Sequence, residues 1–202
     1  MRSWTLDEFA RLIDHTNLKP FARAADMREL CDEARANHFA MVAVNQVQAR
    51  LCAALLEGTD IHVGAAISFP LGQTTIASKI FDVRDAIANG ADEIDYVVNL
   101  TEVKNGNWHY VAEEMEEIVA TCHELDAISK VIFENCYLED AEKIRLCEIA
   151  SEARPDFIKT STGFGTGGAT FDDVRLMVEH VDPAVCVKAA GGIRDAGSFL
   201  EY

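Results

Sequence analysis

Basic residues are scarce in this 202-residue chain: 18 Lys and Arg stand against 34 Asp and Glu, for a net charge of −16. A sequence-independent grip on nucleic acid needs a basic surface, so nucleic acid is excluded as a partner. An anionic ligand must instead be held locally, by backbone N–H groups or a few placed cations. Long apolar runs are missing too. The longest are strand-sized, well short of the roughly 18 residues of a membrane span, so no membrane partner is expected. The N-terminal "MRSWTLDEFARLIDHTN" carries Asp7, Glu8 and Asp14 and lacks the apolar segment of a signal peptide. Cys31, Cys52, Cys122, Cys136, Cys147 and Cys186 form no CxxC pair. Several sit inside apolar runs, where a free thiol acts as a small hydrophobe. Reduced thiols in a cytoplasmic protein are the expectation. The six histidines form no HxH or HExxH, so no metal site is expected. No linker or low-complexity tract interrupts the chain, which reads as one domain over residues 1–202.

What the chain does have is recurrence. Apolar, β-branched runs return at 39–45, 61–70, 92–100, 129–136, 155–162 and 184–192, with a shorter candidate at 11–18. Helical patterns lie between them. "TTIASKIFDVRDAIANG" sets Ile76, Ile80, Val83 and Ile87 on one stripe, with Gly90 as a stop. "NWHYVAEEMEEIVATCHEL" is similar, and "TFDDVRLMVEH" opens with Thr170 and Asp173 at capping-box spacing. "TLDE" caps a short helix near the N-terminus in the same way. Strands alternating with helices predict βαβ units and a parallel sheet. The runs are apolar throughout, as sheets covered on both faces require. A doubly wound open sheet and a (β/α)8 barrel both fit. The chain stops at "RDAGSFLEY", which reads as the start of a helix after a seventh strand.

In either architecture a ligand site lies at the carboxyl ends of the strands. The out-of-place polar residues are assigned there: Asp14 after Leu12–Ile13, Asp95 inside "EIDYVV", Glu134 ending "VIFE", Lys159 ending "DFIK" and Lys188 ending "VCVK". A lone lysine at a strand end is usually a solvated tip, and a lone Asp is often a satisfied turn acceptor. Recurrence on several strands changes the reading, because an ionisable group in an apolar strand costs several kcal/mol unless paired. Lys159 and Lys188 come from consecutive strands, which puts their amines close together. Less than roughly 0.1% of a free lysine is neutral at pH 7, and only the neutral amine attacks a carbonyl. A second ammonium and desolvation lower that pKa. Two lysines and a buried carboxylate therefore suit Schiff-base chemistry.

Gly163, Gly165, Gly167 and Gly168 follow the first lysine and precede a helix; Gly191 and Gly192 follow the second. Bare backbone at a helix N-terminus is an anion site, so a sugar phosphate fits. "GFGTGG" also matches GxGxxG. A dinucleotide site wants an acidic residue about 20 positions on, and that position is Lys188, of the wrong sign.

"LIDHTNLKP", "ISFPLG", "ANGADEIDYVVN", "KVIFENC", "FIKTSTGFGTGGAT" and "VKAAGGIRD" resemble, in order and spacing, the deoxyribose-phosphate aldolases. The resemblance runs from about residue 11 to the end. It implies a class I, metal- and cofactor-free aldolase on a (β/α)8 barrel that reversibly cleaves 2-deoxy-D-ribose 5-phosphate into acetaldehyde and D-glyceraldehyde 3-phosphate. By position, it implies that Lys159 is the Schiff-base lysine, Lys188 tunes it and assists proton transfer, and Asp95 is the acid/base. It implies that Asp14, Glu134 and Thr160 line the pocket, and that Gly163, Gly165, Gly167, Gly168, Gly191 and Gly192 take part in binding phosphate. Ala43 and Gln46 stand where many members have Cys and Pro. The family continues with an eighth strand, so the expectation here is a barrel truncated after the seventh, with unpaired edges that make a homodimer plausible. The residues alone also allow another sugar-phosphate enzyme on the same barrel, or a non-catalytic phosphate-binding module.

Overall fold

Each of the seven apolar runs folds as a strand in the computed structural model, which describes residues 4–202. Met1–Ser3, the start of the stretch read above for a signal peptide, lie outside the described residues. The strands are β1 (Asp14–Asn17), β2 (Met41–Asn45), β3 (His62–Ile67), β4 (Glu93–Val97), β5 (Ile128–Ile132), β6 (Phe157–Lys159) and β7 (Cys186–Lys188). The helices are α1 (Leu6–Ala10), α2 (Ala24–Asn37), α3 (Ala49–Leu55), α4 (Ile76–Ala88), α5 (Leu100–Lys104), α6 (Trp108–Glu124), α7 (Asp140–Ala153), α8 (Phe171–His180) and α9 (Ala196–Glu201). None is long and apolar enough to cross a membrane.

The strands pair in parallel, in the order β1 to β7. A doubly wound sheet reverses its order partway, so this sequence of neighbours selects the barrel. The registers show the curl. Extended across the sheet from Asp14, they reach Asp182, six residues before Lys188. Yet Lys188 Nζ donates to Asp14 Oδ1 at 2.8 Å and to Leu12 O at 2.9 Å. Tilted strands in a closing barrel require such a stagger. The same stagger corrects one expectation: Asp14 opens β1 instead of ending it, and still meets the carboxyl end of β7. Among the described residues β1 and β7 share no backbone pairing, so their edges meet through side chains. α9 follows β7 as expected. Phe199 meets Phe9 of the α1 segment edge-on at 5.9 Å, and Tyr202 stacks on Phe171 at 4.3 Å.

The apolar core lies between the sheet's outer face and the helices: Val42, Val44, Ala65, Ile94, Tyr96, Val131 and Ile158 face α2, α4, α6 and α7 residues such as Met27, Val83, Met115 and Leu146. Caps behave as the sequence implies. Thr5 and Glu8 close a full capping box on α1. Thr170 accepts from the Asp173 N–H at 3.1 Å, but the Asp173 carboxylate pairs with Lys143 Nζ instead of folding back. Gln46 donates to Asp82 O and Asp85 Oδ2.

The α4 stripe holds a surprise. Its deepest residues are Lys79, Val83 and Ala86, while Ile80 and Ile87 flank them. Lys79 Nζ lies 2.8 Å from Glu114 Oε1 of α6 and 2.7 Å from Val97 O, and Glu114 Oε2 accepts from Asn99 N–H at 2.9 Å. Both side chains are fully buried. Burial pushes the amine down and the carboxyl up in pKa, and their mutual attraction works against both shifts. The pair therefore pins the backbone just past β4. Removing one partner leaves a buried charge and an unmet backbone group, so Lys79→Met is expected to cost about 3–5 kcal/mol. Lys79→Met with Glu114→Leu is expected to recover most of that loss. Urea unfolding midpoints check both, and equal losses for the single and double variants would refute the pairing.

Candidate active site

The two-residue period of a strand puts Glu93 and Asp95 of β4 on one face, toward the barrel interior. Asp95 is the ladder partner of Lys130 in β5, and Lys159 is the ladder partner of Lys188. Lys130 is the hub. Its ammonium lies 3.1 Å from Asp14 Oδ2 and 3.3 Å from Asp95 Oδ1, and it donates a short hydrogen bond to Glu93 Oε1. Lys159 Nζ donates to Asp95 Oδ2 at 2.5 Å. With the Lys188–Asp14 bond, the interior carries an alternating chain: Lys188, Asp14, Lys130, Asp95, Lys159. Three ammonium groups meet three carboxylates, so the fully ionised set is neutral. Met41 fills the space beside it: a Cβ on Gly64 would come within 2.4 Å of its sulfur.

Position in this chain decides each charge. Burial works against the Lys130 ammonium, whose side chain is 1% exposed, but Asp95, Asp14 and Glu93 outweigh it and raise its pKa. Burial likewise opposes ionised Asp14; Lys130 and Lys188 outweigh it and hold this carboxyl well below the usual range. Asp95 is lowered in the same way, by Lys130 and Lys159 against burial. At Glu93 burial prevails over Lys130, and its pKa is raised. Lys188 is lowered: desolvation leads, Asp14 opposes, and Lys130 adds repulsion. Asp95 Oδ1, though buried, has no hydrogen-bond partner among the described residues.

Above this cluster the backbone ladder continues past the strands, through Phe133 N–H to Lys159 O and Thr160 N–H to Lys188 O. Thr160 Oγ1 donates to Ala190 O and accepts from Ala190 N–H, both at 3.1 Å, which ties the two lysine loops together. Glu134 lies two residues beyond β5 in a left-handed conformation, φ 57°. Its carboxylate accepts from the Thr162 N–H at 3.1 Å and from the Thr162 hydroxyl. It thus anchors the glycine loop from beneath. The two glycine loops touch through backbone: a Cβ on Gly168 would lie 2.2 Å from Gly191 O. Gly165 packs against Cys136 and Glu134, and Gly167 against Cys136.

A cavity of about 1110 Å³ opens at this end, lined by Lys159, Lys188, Gly163, Gly191, Gly192 and Arg194, among others. Asp14 reaches it too. Asp95, Glu134, Thr160, Gly165, Gly167 and Gly168 do not line it. The sequence reading missed Lys130 and Glu93, both inside quoted runs. The available signal was Glu93 and Asp95 at i and i+2, beside a strand with its own central lysine.

A family model described as DeoC/LacD family aldolase matches residues 9–202. A deoxyribose-phosphate aldolase of Lactobacillus acidophilus is 60% identical over 98% of this chain and 83% of its own length. One from Bacteroides thetaiotaomicron is 52% identical over 97% of this chain and 82% of its own. The solved structure of a tetrameric deoxyribose phosphate aldolase from Aeropyrum pernix superposes with a TM-score of 0.90 at 29% identity, covering 98% of this chain and 83% of that one. With its interior lysines, its barrel order and these relatives in agreement, the chain belongs to the DeoC/LacD family of aldolases.

Proposed function

We propose that this chain cleaves 2-deoxy-D-ribose 5-phosphate reversibly into acetaldehyde and D-glyceraldehyde 3-phosphate, through a Schiff base on Lys159. The carrying observation is the Lys159 amine, at the wall of the upper cavity and 2.5 Å from Asp95. The free amine attacks C1 of the open-chain sugar, and loss of water leaves an iminium. A base then takes the C3 hydroxyl proton. The C2–C3 bond breaks, its electron pair moves into the iminium as an enamine, and glyceraldehyde 3-phosphate departs. Protonation at C2 and hydrolysis release acetaldehyde. Asp95, between Lys130 and Lys159, is the acid/base in this reading and works through water. Lys188, beside Asp14 and lining the same cavity, tunes the nucleophile and assists proton transfer.

The phosphate falls to Gly163, Gly191 and Gly192, whose φ values of 83°, 85° and 86° only glycine adopts freely. Arg194 on the same cavity wall supplies a placed cation in a strongly acidic protein. The cysteines are free and four of the six are buried, which suits a reducing compartment such as the cytoplasm.

A second copy is the partner we infer. Phe21, Val47 and Phe81 are 76%, 83% and 70% exposed. Gln46 binds α4 at Asp82 and Gln48 binds Ala22 O, which ties the turn carrying Val47 to the segments carrying the two phenylalanines. An apolar surface of this kind marks an interface, and the Aeropyrum pernix relative is an oligomer.

Three outcomes are expected. Acetaldehyde with borohydride leaves a two-carbon adduct that peptide mapping places on Lys159, and Lys159→Ala lowers kcat by about 10⁴-fold; an adduct on another lysine would overturn the assignment. Asp95→Asn lowers kcat by roughly 10²–10⁴-fold with the Lys159 adduct still formed, and unchanged turnover would remove Asp95 from the reaction. Phe81→Asp lowers the mass seen in sedimentation velocity. A mass that this change leaves untouched would take the interface elsewhere.

A further inference from the structure

The mechanism uses Lys159, Lys188 and Asp95 and leaves Glu93 idle. Glu93 is nonetheless buried in the barrel interior, side chain 7% exposed, against the hub lysine. It does not line the upper cavity. It lines a second cavity of about 930 Å³, beneath the first, which Lys130 and Phe157 also line and Lys159 does not. Asp14 and Lys188 line both cavities. The charged cluster is thus a partition with the nucleophile on one side and Glu93 on the other.

We propose that Glu93 is a positioning residue that sets the net charge, and so the ease of amine deprotonation, in the cluster above it by acting through Lys130. The charge count supplies the reason. With all six groups ionised the cluster is neutral, and its core is out of water. Freeing the Lys159 amine for attack leaves the set at −1, and net charge in such a site is costly. A neutral group at position 93 removes that penalty. The groups facing Glu93 are Lys130 of β5, Asp95 of its own strand and Asp14 of β1, with His62 of β3 adding its own charge when protonated. Lys159 and Lys188 complete the cluster, and Arg11 lines the lower cavity. Burial already favours the neutral form of Glu93, while its contact with Lys130 opposes it. Glu93 also holds the hub. Without its acceptor, Lys130 turns further toward Asp95 and Asp14 and competes with Lys159 for Asp95.

This inference rests on the aldolase reading, so its test separates the two. Acetaldehyde is trapped on the full chain with cyanoborohydride across a pH series, and the adduct on Lys159 is quantified. In the unaltered protein its formation falls on acidification, as the amine is protonated. Glu93→Gln takes one negative charge from around the amine, which destabilises the ammonium and moves this acidic limb to lower pH, by about one unit. Glu93→Asp keeps the charge and is expected to keep the limb near its original position. A merely structural role for Glu93 lowers stability and total adduct in both variants without moving the limb. A limb that stays in place, or moves to higher pH, in Glu93→Gln overturns the proposal. Should Glu93→Gln fail to fold, Glu93→Gln/Lys130→Gln removes one charge of each sign and is expected to hold the limb where it started; a shift of about a unit overturns the proposal equally. No Lys159 adduct at any pH in the unaltered protein overturns the aldolase reading and this inference together.

Discussion

Charge matching inside the barrel is the constraint on which the rest depends. A single ammonium in an apolar interior costs several kcal/mol, and three would unfold a domain whose whole stability is of order 5–15 kcal/mol. The interior tolerates Lys130, Lys159 and Lys188 because Asp14, Glu93 and Asp95 alternate with them at hydrogen-bond distance. No carboxylate in this chain can be judged alone. Asp95 holds the Lys159 amine on one side and shares the hub ammonium on the other. Asp14 does the same between Lys130 and Lys188, and by doing so it also joins the first strand to the seventh.

That last contact shows how the fold and the chemistry share one set of bonds. The stagger of the registers brings the opening residue of β1 level with the closing residue of β7. Hydrogen bonds from Lys188 to Asp14 and to Leu12 O then link the two segments. A lysine proposed to act in the reaction is thereby a structural tie as well. Its burial lowers its pKa while Asp14 restrains the fall.

The strand pattern was legible because six of the runs are largely apolar, and all seven runs became strands, although β1 itself is polar at every residue. The choice between open sheet and barrel was not legible from the runs alone; it resides in strand order and register, which are properties of pairing. The site divided along the same line. Lys159 and Lys188 end their strands, and a charge at the end of an apolar run stands out. Lys130 and Glu93 lie within strands, where a charge reads as an interruption until the neighbouring strand supplies its counterion. Lys79 was hidden for the same reason: the α4 stripe looks apolar at Ile76, Ile80, Val83 and Ile87, and only the packing of α6 reveals Glu114 opposite the lysine. Asp14 was found for the right residue type and given the wrong strand end, because barrel tilt is invisible in one strand.

Glu134 poses a sharper problem, since a buried carboxylate beneath a loop proposed to bind a phosphate looks self-defeating. Its hydrogen bonds resolve the difficulty. Within the loop it accepts from Thr162, once from the backbone N–H and once from the hydroxyl, and Thr162 in turn accepts from the Phe164 N–H at 3.0 Å. The negative charge is thus satisfied by donors that curve the loop, and it lies behind the surface formed by Gly163, Gly191 and Gly192. In a protein with sixteen excess negative charges, attraction at a distance works against a sugar phosphate. In the proposed site, selectivity for it rests on short-range geometry: backbone left bare by glycine, one arginine on the cavity wall, and a carboxylate whose charge is spent on holding that backbone in place.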